Sequence, residues 1–196
     1  MMAGLKSDTL TPGLRVGLYG GSFNPPHEGH RHVAQTALKR LQLDRVWWLV
    51  SPGNPLKDDA PAPLDARMDA VRRLAPGPRH VISSIEAQLG AGYTIDLLRH
   101  LQARHPGVRF VWIMGADGLG ELHRWKDWRE IIARIPLAVI ARASAGPDPR
   151  FSRAAKALRQ HRLPESQARA LADRGAPGWT YLTEPLHPHA SRLMRG

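Results

Sequence analysis

The chain has 196 residues, 42% of them hydrophobic, and its 28 Lys and Arg outnumber its 17 Asp and Glu, for a formal net charge of +11. This length fits one compact domain with a substantial core, and the absence of cysteine excludes disulfides and redox thiol chemistry and fits a cytoplasmic protein. No apolar run reaches the roughly eighteen residues that cross a bilayer, so no membrane association is expected, whereas the positive charge indicates anionic partners.

A glycine-rich turn joins the first predicted strand, residues 15–19, to the first predicted helix, residues 30–41. The turn has the sequence GGSFNPPHEGH. Gly20 and Gly21 allow the backbone to approach a ligand closely, and the free N–H groups that open a helix attract anions. A strand-to-helix corner of this composition is predicted to bind phosphate.

Two histidines three positions apart, His27 and His30, add side-chain donors to this corner. The corner has neither the Gly-Lys-Ser/Thr of a P-loop nor the GxGxxG of a dinucleotide-binding turn, so its phosphate chemistry is of another kind. Imidazoles also bind zinc. Because the chain has no cysteine and no HExxH motif, however, no protein-held metal is predicted.

Strands and helices are predicted to alternate along the next part of the chain. Strands are predicted over residues 46–50, 80–85 and 108–114, with helices over residues 64–74 and 94–104. The first of these strands is continuously apolar, which is typical of a strand buried on both faces. The alternation predicts an α/β fold with a doubly wound parallel sheet and helices on both faces, in which ligands bind beyond the carboxyl ends of the strands.

Polar residues follow the second and third predicted strands. Asn54 and Lys57 supply an amide and an ammonium, which either contact a phosphate or lie in solvent. Thr94, next to Tyr93, opens a predicted helix and is a candidate for its cap. The free amides at that helix start would also suit a carboxylate or a phosphate, so capping and binding are compatible.

The fourth predicted strand is followed by GAD and then by HRWKDW. Asp117 is predicted either to accept a hydrogen bond from a ribose hydroxyl or base amine, or to cap the next helix. Trp125 and Trp128 are three residues apart, so they are predicted to share a helical face, with one in the core and the other able to stack on a ring. A pyridinium ring would add a cation–π term of about 0.5 to 2 kcal/mol.

The C-terminal part contains two arginine-rich stretches with Ala/Leu periodicity, residues 151–161 and 166–174. Both are predicted to be helices that pack beside the sheet, and they could contribute to a homo-oligomer interface. A late strand is predicted over residues 179–183, so the sheet has a small C-terminal extension of helices and strand.

The segment GSFNPPHEGH matches the GxFxPxHxGH signature of the nucleotidylyltransferase superfamily, whose members join a nucleoside triphosphate to a phosphorylated acceptor and release pyrophosphate. Further segments, YTID, GAD with HRWKDW, and NPLK, resemble elements of the bacterial nicotinate-nucleotide adenylyltransferases. The resemblance implies a Rossmann-like fold and a single nucleotidylyltransferase domain over residues 15–196. It also implies synthesis of deamido-NAD from nicotinate mononucleotide and ATP. The N-terminal residues 1–14 have no long apolar segment and are expected to be flexible.

The same resemblance implies roles for individual residues. His27 and His30 correspond to the catalytic pair that contacts the ATP phosphates. The implied ATP-binding residues are Gly20, Gly21, Ser22, Phe23, Asp117, Arg142, Ser191 and Arg195. The implied residues for the mononucleotide substrate are Asn54, Lys57, Tyr93, Thr94 and Trp125. Tyr93 and Thr94 would receive the nicotinate carboxylate, Trp125 would stack on the pyridine ring, and magnesium is expected to bridge ATP phosphates.

The second signature of the family, SSTxIR, corresponds here to ASRLMR at residues 190–195. Ser191 and Arg195 match it, whereas Ala190 and Arg192 replace a serine and a threonine. Three alternatives stay open: a nucleotidylyltransferase for another acceptor such as phosphopantetheine, a regulatory nucleotide-binding protein with weakened catalysis, and a basic nucleic-acid binder. The phosphopantetheine alternative does not explain YTID with HRWKDW. The chain also lacks the dense aromatic interleaving of single-strand binders, so no nucleic-acid partner is expected.

Overall fold

The structure, a computed structural model, describes residues 10–53, 61–141 and 148–183. These residues form a seven-stranded sheet in the order β3-β2-β1-β4-β5-β7-β6, and every neighbouring pair is parallel. The strands are β1 (Arg15–Gly21), β2 (Arg45–Val50), β3 (His80–Ser83), β4 (Arg109–Gly115), β5 (Leu137–Ile140), β6 (Arg162–Leu163) and β7 (Trp179–Leu182). The predicted doubly wound parallel sheet is confirmed, and its strand order reverses between β1 and β4.

Helices cover both faces of this sheet. They are α1 (Glu28–Arg40), α2 (Leu64–Leu74), α3 (Ile85–Leu89), α4 (Thr94–Arg104), α5 (Ala116–Glu121), α6 (Trp128–Arg134), α7 (Arg153–Ala157) and α8 (Leu171–Arg174). Buried residues of α1, α2 and α8 form one core with one face of the sheet, and buried residues of α4, α5, α6 and α7 form a second core with the other face. None of the helices in the described ranges is long and apolar enough to cross a membrane.

The continuously apolar strand β2 shows why this sheet is buried on both sides. Trp47 and Leu49 point into one core, whereas Trp48 and Val50 point into the other, because successive side chains of a strand face opposite ways. The adjacent strand β1 is packed so closely that a β-carbon on Gly17 would lie 2.8 Å from a methyl group of Leu43. The apolar run was therefore correctly predicted as a doubly buried strand.

Several predicted boundaries are confirmed, and others shift for local reasons. Helices α2 and α4 have the predicted bounds, and the late strand β7 is present. Helix α1 begins two residues earlier than predicted, because His27 caps it. Strand β1 continues through Gly20 and Gly21, which pair with the end of β2. The predicted strand over residues 80–85 ends at Ser83, whose Oγ accepts a hydrogen bond from the N–H of Ile85 at 3.2 Å as α3 begins.

The C-terminal segments are less regular than predicted. The stretch 151–161 contains the last residue of the 3₁₀ turn Pro149–Phe151, the five-residue helix α7 and the 3₁₀ turn Arg159–His161. The stretch 166–174 is mostly the 3₁₀ segment Glu165–Ala170 followed by one turn of α8. The short edge strand β6, which lies between these stretches, was not predicted. Together these segments extend the main sheet at its β5 side.

Candidate active site at the carboxyl edge of the sheet

The predicted site residues that the structure describes lie at the carboxyl edge of the sheet. Because the strands are parallel, the loops after β1, β2, β3, β4 and β5 all leave from this edge. The described members of the predicted set lie at the end of β1 or in the turn and helix start after it, at the start of α4, or after β4. Five predicted residues, namely Asn54, Lys57, Arg142, Ser191 and Arg195, lie outside the described residues, as do Ala190 and Arg192.

His27 and His30 form a capping box at the start of α1. Nδ1 of His27 accepts a hydrogen bond from the N–H of Gly29 at 3.1 Å, and Nδ1 of His30 accepts one from the N–H of His27 at 3.2 Å. The two imidazole centroids are 3.9 Å apart. A β-carbon on Gly29 would lie 2.9 Å from the His27 ring, so the glycine between the histidines is required by this geometry.

The capping hydrogen bonds also determine which nitrogen carries the proton. A nitrogen that accepts a hydrogen bond has no proton of its own, so the neutral form of each ring carries its hydrogen on Nε2. This assignment follows from the hydrogen-bond network around Nδ1. Both histidines therefore present an Nε2–H donor, and the backbone of the helix start selects that tautomer.

Phe23 anchors, through its side chain, the corner between β1 and α1 that is predicted to bind phosphate and is called the phosphate corner below. It lies in the left-handed region with φ 46°, and its side chain is only 2% exposed. The ring packs against Tyr19, His30 and Trp48, with centroid distances of 5.3, 5.2 and 5.2 Å. No hydrogen bond among the described residues uses the Phe23 N–H. The ring thus fixes the residue, and its N–H group has no hydrogen-bond partner among the described residues.

The two glycines before Phe23 make room for aromatic rings. A β-carbon on Gly20 would lie 3.0 Å from the Trp112 ring, and one on Gly21 would lie 3.1 Å from the Phe23 ring. The sequence predicts that these glycines allow the close approach of a ligand. The structure supplies a packing reason as well: any side chain here would displace the rings that hold the corner.

A buried arginine that sequence analysis missed ties the loops of the corner together. Arg67 of α2 is 3% exposed and donates hydrogen bonds to the carbonyl oxygens of Ser22, Ser51, Pro52 and Ala62. The signal for it was its position on the apolar face of α2, three residues after Leu64 and four before Val71. A charge at such a position must be satisfied by buried partners.

The start of α4 and the segment after α5 lie side by side. Tyr93 is the N-cap residue of α4 and makes no side-chain capping bond, so the prediction that Thr94 caps the helix is wrong, and Thr94 is its first residue. The Tyr93 ring is 47% exposed, and Nζ of Lys126 lies 4.3 Å from its centroid. Because Trp125 directly precedes Lys126 and Thr94 directly follows Tyr93, this contact brings the two segments into one region of the edge.

The two tryptophans have different environments. Trp128 is 7% exposed and belongs to the core, whereas Trp125 is half-buried, with its ring edge against Trp112 at a centroid distance of 6.0 Å. The prediction that one of them is core is confirmed. The prediction that they share a helical face is wrong, because Trp125 has an extended backbone and Asp127, in the left-handed conformation, separates it from α6.

Two carboxylates complete the described edge. Asp117 lies in the first turn of α5, and because Gly115 is the N-cap of that helix, the capping alternative for Asp117 is wrong. Glu86 of α3 was not predicted. Burial raises the pKa of its carboxyl to about 7. Residues on the short helix α3 gave no signal in the sequence, because five residues are too few for a periodic pattern.

The fold and the arrangement of this edge define an α/β protein of the doubly wound class, with its candidate site at the point where the strand order reverses. The profile of the cytidylyltransferase-like family matches residues 18–183. A probable nicotinate-nucleotide adenylyltransferase of Caulobacter sp. (strain K31) is 54% identical over 184 residues, which are 93% of this chain and 97% of that protein. A protein of the same description from Methylorubrum extorquens is 50% identical over 183 residues, covering 93% of this chain and 99% of that one.

A solved structure has the same fold. The nicotinic acid mononucleotide adenylyltransferase of Plasmodium falciparum, complexed with NaAD, aligns with a TM-score of 0.66 at 15% identity, covering 91% of this chain and 79% of that chain. The chain belongs to the cytidylyltransferase-like family and, within it, to the nicotinate-nucleotide adenylyltransferases.

Proposed function

We propose that this protein transfers the adenylyl group of ATP to nicotinate mononucleotide, releasing pyrophosphate and forming deamido-NAD. The observation that carries the proposal is the 54% identity, over 93% of the chain, to a relative described by that activity. The carboxyl-edge site supports it with an anion-binding helix start, a pair of imidazole donors and an aromatic region beside α4.

The reaction requires positioning rather than a nucleophilic side chain. A phosphate oxygen of nicotinate mononucleotide would attack the α-phosphorus of ATP in line, the bond from that phosphorus to the bridging oxygen would break, and pyrophosphate would leave. His27 and His30 would donate from Nε2 to phosphate oxygens, because their Nδ1 atoms are engaged in the capping box. Preorganised donors of this kind stabilise charge in the transition state without having to reorganise.

Selection of nicotinate would depend on the start of α4. Free N–H groups and the positive end of this 11-residue helix favour a carboxylate. A carboxamide would bring its own donors against those N–H groups and leave one of them unpaired. Trp125, half-buried beside Tyr93 and Lys126, would stack on the pyridine ring.

Magnesium would enter as the complex with ATP. Among the described residues, no group of three or more His, Asp or Glu side chains is arranged to hold a metal ion. The imidazole donors of the corner suit phosphate oxygens. A magnesium ion keeps its waters and binds substrate oxygens, so the two modes of binding are compatible. Bound there, magnesium would neutralise charge on the triphosphate.

Pyrophosphate release by the purified protein tests this proposal. The protein would be assayed with magnesium and ATP and with nicotinate mononucleotide, nicotinamide mononucleotide or phosphopantetheine as acceptor. We expect the highest kcat/KM with nicotinate mononucleotide. Preference for phosphopantetheine would reassign the substrate, equal efficiency on the two mononucleotides would remove the role given to α4, and ATP binding without release on any acceptor would favour a regulatory protein.

A further inference from the structure

Arg67 connects three separate segments at the carboxyl edge. Its Nη1 donates to the carbonyl oxygens of Ser22, at 2.6 Å, and Ser51, at 2.8 Å, which follow β1 and β2. Its Nη2 donates to Pro52 at 3.3 Å, and its Nε donates to Ala62, just before α2, at 2.8 Å. One guanidinium thus holds the phosphate corner, the β2 loop and the entry to α2 in fixed relation.

Among the described residues, this arginine is held by carbonyl groups alone. No acidic side chain in the described part of the chain forms an ion pair with it, and burial lowers the pKa of its guanidinium. A buried cation that has no carboxylate partner destabilises the folded state unless all of its donors make well-placed hydrogen bonds. The planar fork of arginine can reach several carbonyls at once, whereas the ammonium of lysine is a single point.

The bond to Ser22 also determines where the next N–H group points. In a trans peptide unit the C=O and the following N–H point in opposite directions. Since the Ser22 carbonyl points at Arg67, the Phe23 N–H points away from it, and no hydrogen bond among the described residues uses that N–H. We infer that Arg67 is a positioning residue, which aims the Phe23 N–H at the phosphate site and thereby acts on the transferred group.

The loops have other links, so loss of Arg67 need not unfold them. The Ser51 N–H donates to the Gly21 carbonyl at 3.0 Å, and the Ala62 N–H donates to Oδ1 of Asn24 at 3.2 Å. These bonds hold the same segments together without touching the Ser22 carbonyl. Removal of the guanidinium is therefore expected to let the Ser22–Phe23 peptide unit change its orientation while the fold is retained.

Three variants test this inference, which rests on the proposed adenylyl transfer. Arg67→Met removes the donors, Arg67→Lys keeps the charge without the fork, and Arg79→Met is the matched control. Arg79 also donates to backbone carbonyls, those of Leu43 and Asp44, but at the opposite edge of the sheet. The folded fraction of each variant is measured by circular dichroism, and kcat is expressed per folded molecule. We expect kcat to fall about 100-fold in Arg67→Met, as for loss of one transition-state donor, and nearly as far in Arg67→Lys. Arg79→Met should keep kcat within about threefold, because it does not contact the corner.

A second measurement does not depend on turnover. The ¹⁵N–¹H resonance of Phe23 would be followed by NMR during titration with magnesium and α,β-methylene-ATP, which cannot react. We expect a large shift in the parent and in Arg79→Met, and at least a several-fold smaller shift in both Arg67 variants. A purely structural role for Arg67 would lower the melting temperature without changing this resonance in the folded fraction.

The outcomes distinguish the proposed adenylyl transfer from the positioning role of Arg67. If the parent shows no turnover of nicotinate mononucleotide but the Phe23 resonance responds to the analogue only when Arg67 is present, the proposed function fails and the positioning role stands. Parent-like kcat, or a parent-like Phe23 response, in folded Arg67→Met would overturn the positioning role alone. Failure of the parent resonance to respond at all, or failure of both Arg67 variants to fold, would also overturn it.

Discussion

His27 is proposed to have two separable tasks, one for each ring nitrogen. Nδ1 caps α1 by accepting from the Gly29 N–H, and Nε2 would donate to an ATP phosphate. Asparagine caps helices well but cannot place a donor where Nε2 lies. We predict that His27→Asn keeps the free energy of unfolding within about 0.5 kcal/mol of the parent, while kcat falls about 10²- to 10³-fold. Urea denaturation and pyrophosphate release measure the two effects.

Two comparisons interpret that result. His27→Ala should lose the same activity and about 1 kcal/mol of stability in addition, because the cap is lost as well. His100→Asn, the same change at an exposed position within α4, should leave kcat unchanged. A His27→Asn enzyme with parent-like kcat would show that the Nε2 donor has no part in the reaction.

Glu86 is predicted to make stability depend on pH. Its folded pKa of about 7 lies above the ordinary value of 4.5, so the folded state binds the proton more tightly and stability falls as the pH rises between those values. At about 1.4 kcal/mol per pKa unit the shift bounds the loss at about 3 kcal/mol, and partial exposure reduces it to about 1 to 2 kcal/mol. Glu86→Gln should therefore match the parent at pH 4.5 and exceed its stability at pH 8.5 by that amount in urea denaturation.

Glu130 is expected to change stability with pH in the direction opposite to Glu86. Hydrogen bonds from Arg99 and Arg134 lower the pKa of its carboxyl to about 2, so the charged form is the stabilising one and its contribution is lost as the pH falls toward that value. Glu130→Gln should be less stable than the parent at pH 8.5. For Glu86, the contrary outcome is a stability difference between Glu86→Gln and the parent that is the same at pH 4.5 and at pH 8.5. That result would show that burial of the Glu86 carboxyl does not cause the difference.

At the level of elements, Trp125, which precedes α6, is proposed to bind substrate, whereas Trp128, the first residue of α6, belongs to the core. We predict that Trp125→Ala raises the KM for nicotinate mononucleotide roughly 2- to 30-fold, the equivalent of a lost cation–π contact of about 0.5 to 2 kcal/mol. Trp128→Ala should instead cost about 3 to 5 kcal/mol of unfolding free energy, because its side chain is buried in the core. Steady-state kinetics and thermal denaturation distinguish them, and an unchanged KM in Trp125→Ala would contradict the stacking role.

For the whole molecule, the two edges of the sheet have different tasks. At the amino edge, Asp173 of α8 pairs with Arg15 at 2.7 Å and Arg109 at 2.5 Å, which join α8 to β1 and β4. Burial alone would raise the pKa of Asp173, but hydrogen bonds from the two arginines lower it. We predict that Asp173→Asn lowers stability at pH 7 by about 0.5 to 1 kcal/mol, given its partial exposure. Its kcat should stay at the parent value, and a lowered kcat per folded molecule would contradict this division of the edges.

Predictions from the sequence succeeded where a pattern was long enough to be specific. The amphipathic helices α2 and α4 and the doubly buried strand β2 agree with the structure, because 11 residues at helical spacing or five continuous apolar residues leave few alternatives. The short helix α3 and the two-residue strand β6 were missed for the opposite reason. The stretches 151–161 and 166–174 are long enough for a helical pattern but fold as short helices and 3₁₀ turns. Their form is decided by packing at the ends of the sheet.

The amino-acid sequence by itself determined the class of fold, the phosphate corner and the likeness to nicotinate-nucleotide adenylyltransferases, since these depend on local periodicity and on a motif contiguous in the chain. Tertiary structure alone decided that His27 and His30 carry their protons on Nε2, that Gly20 and Gly21 accommodate aromatic rings, and that Arg67 unites the loops after β1 and β2. The packing around Gly20 and the hydrogen bonds of Arg67 depend on groups far apart in sequence, up to 92 positions for Gly20 and Trp112, which meet only when the parallel strands bring their carboxyl ends to one edge. The histidine tautomers and the contact of Gly21 with Phe23 depend instead on the backbone conformation of the turn and of the helix start.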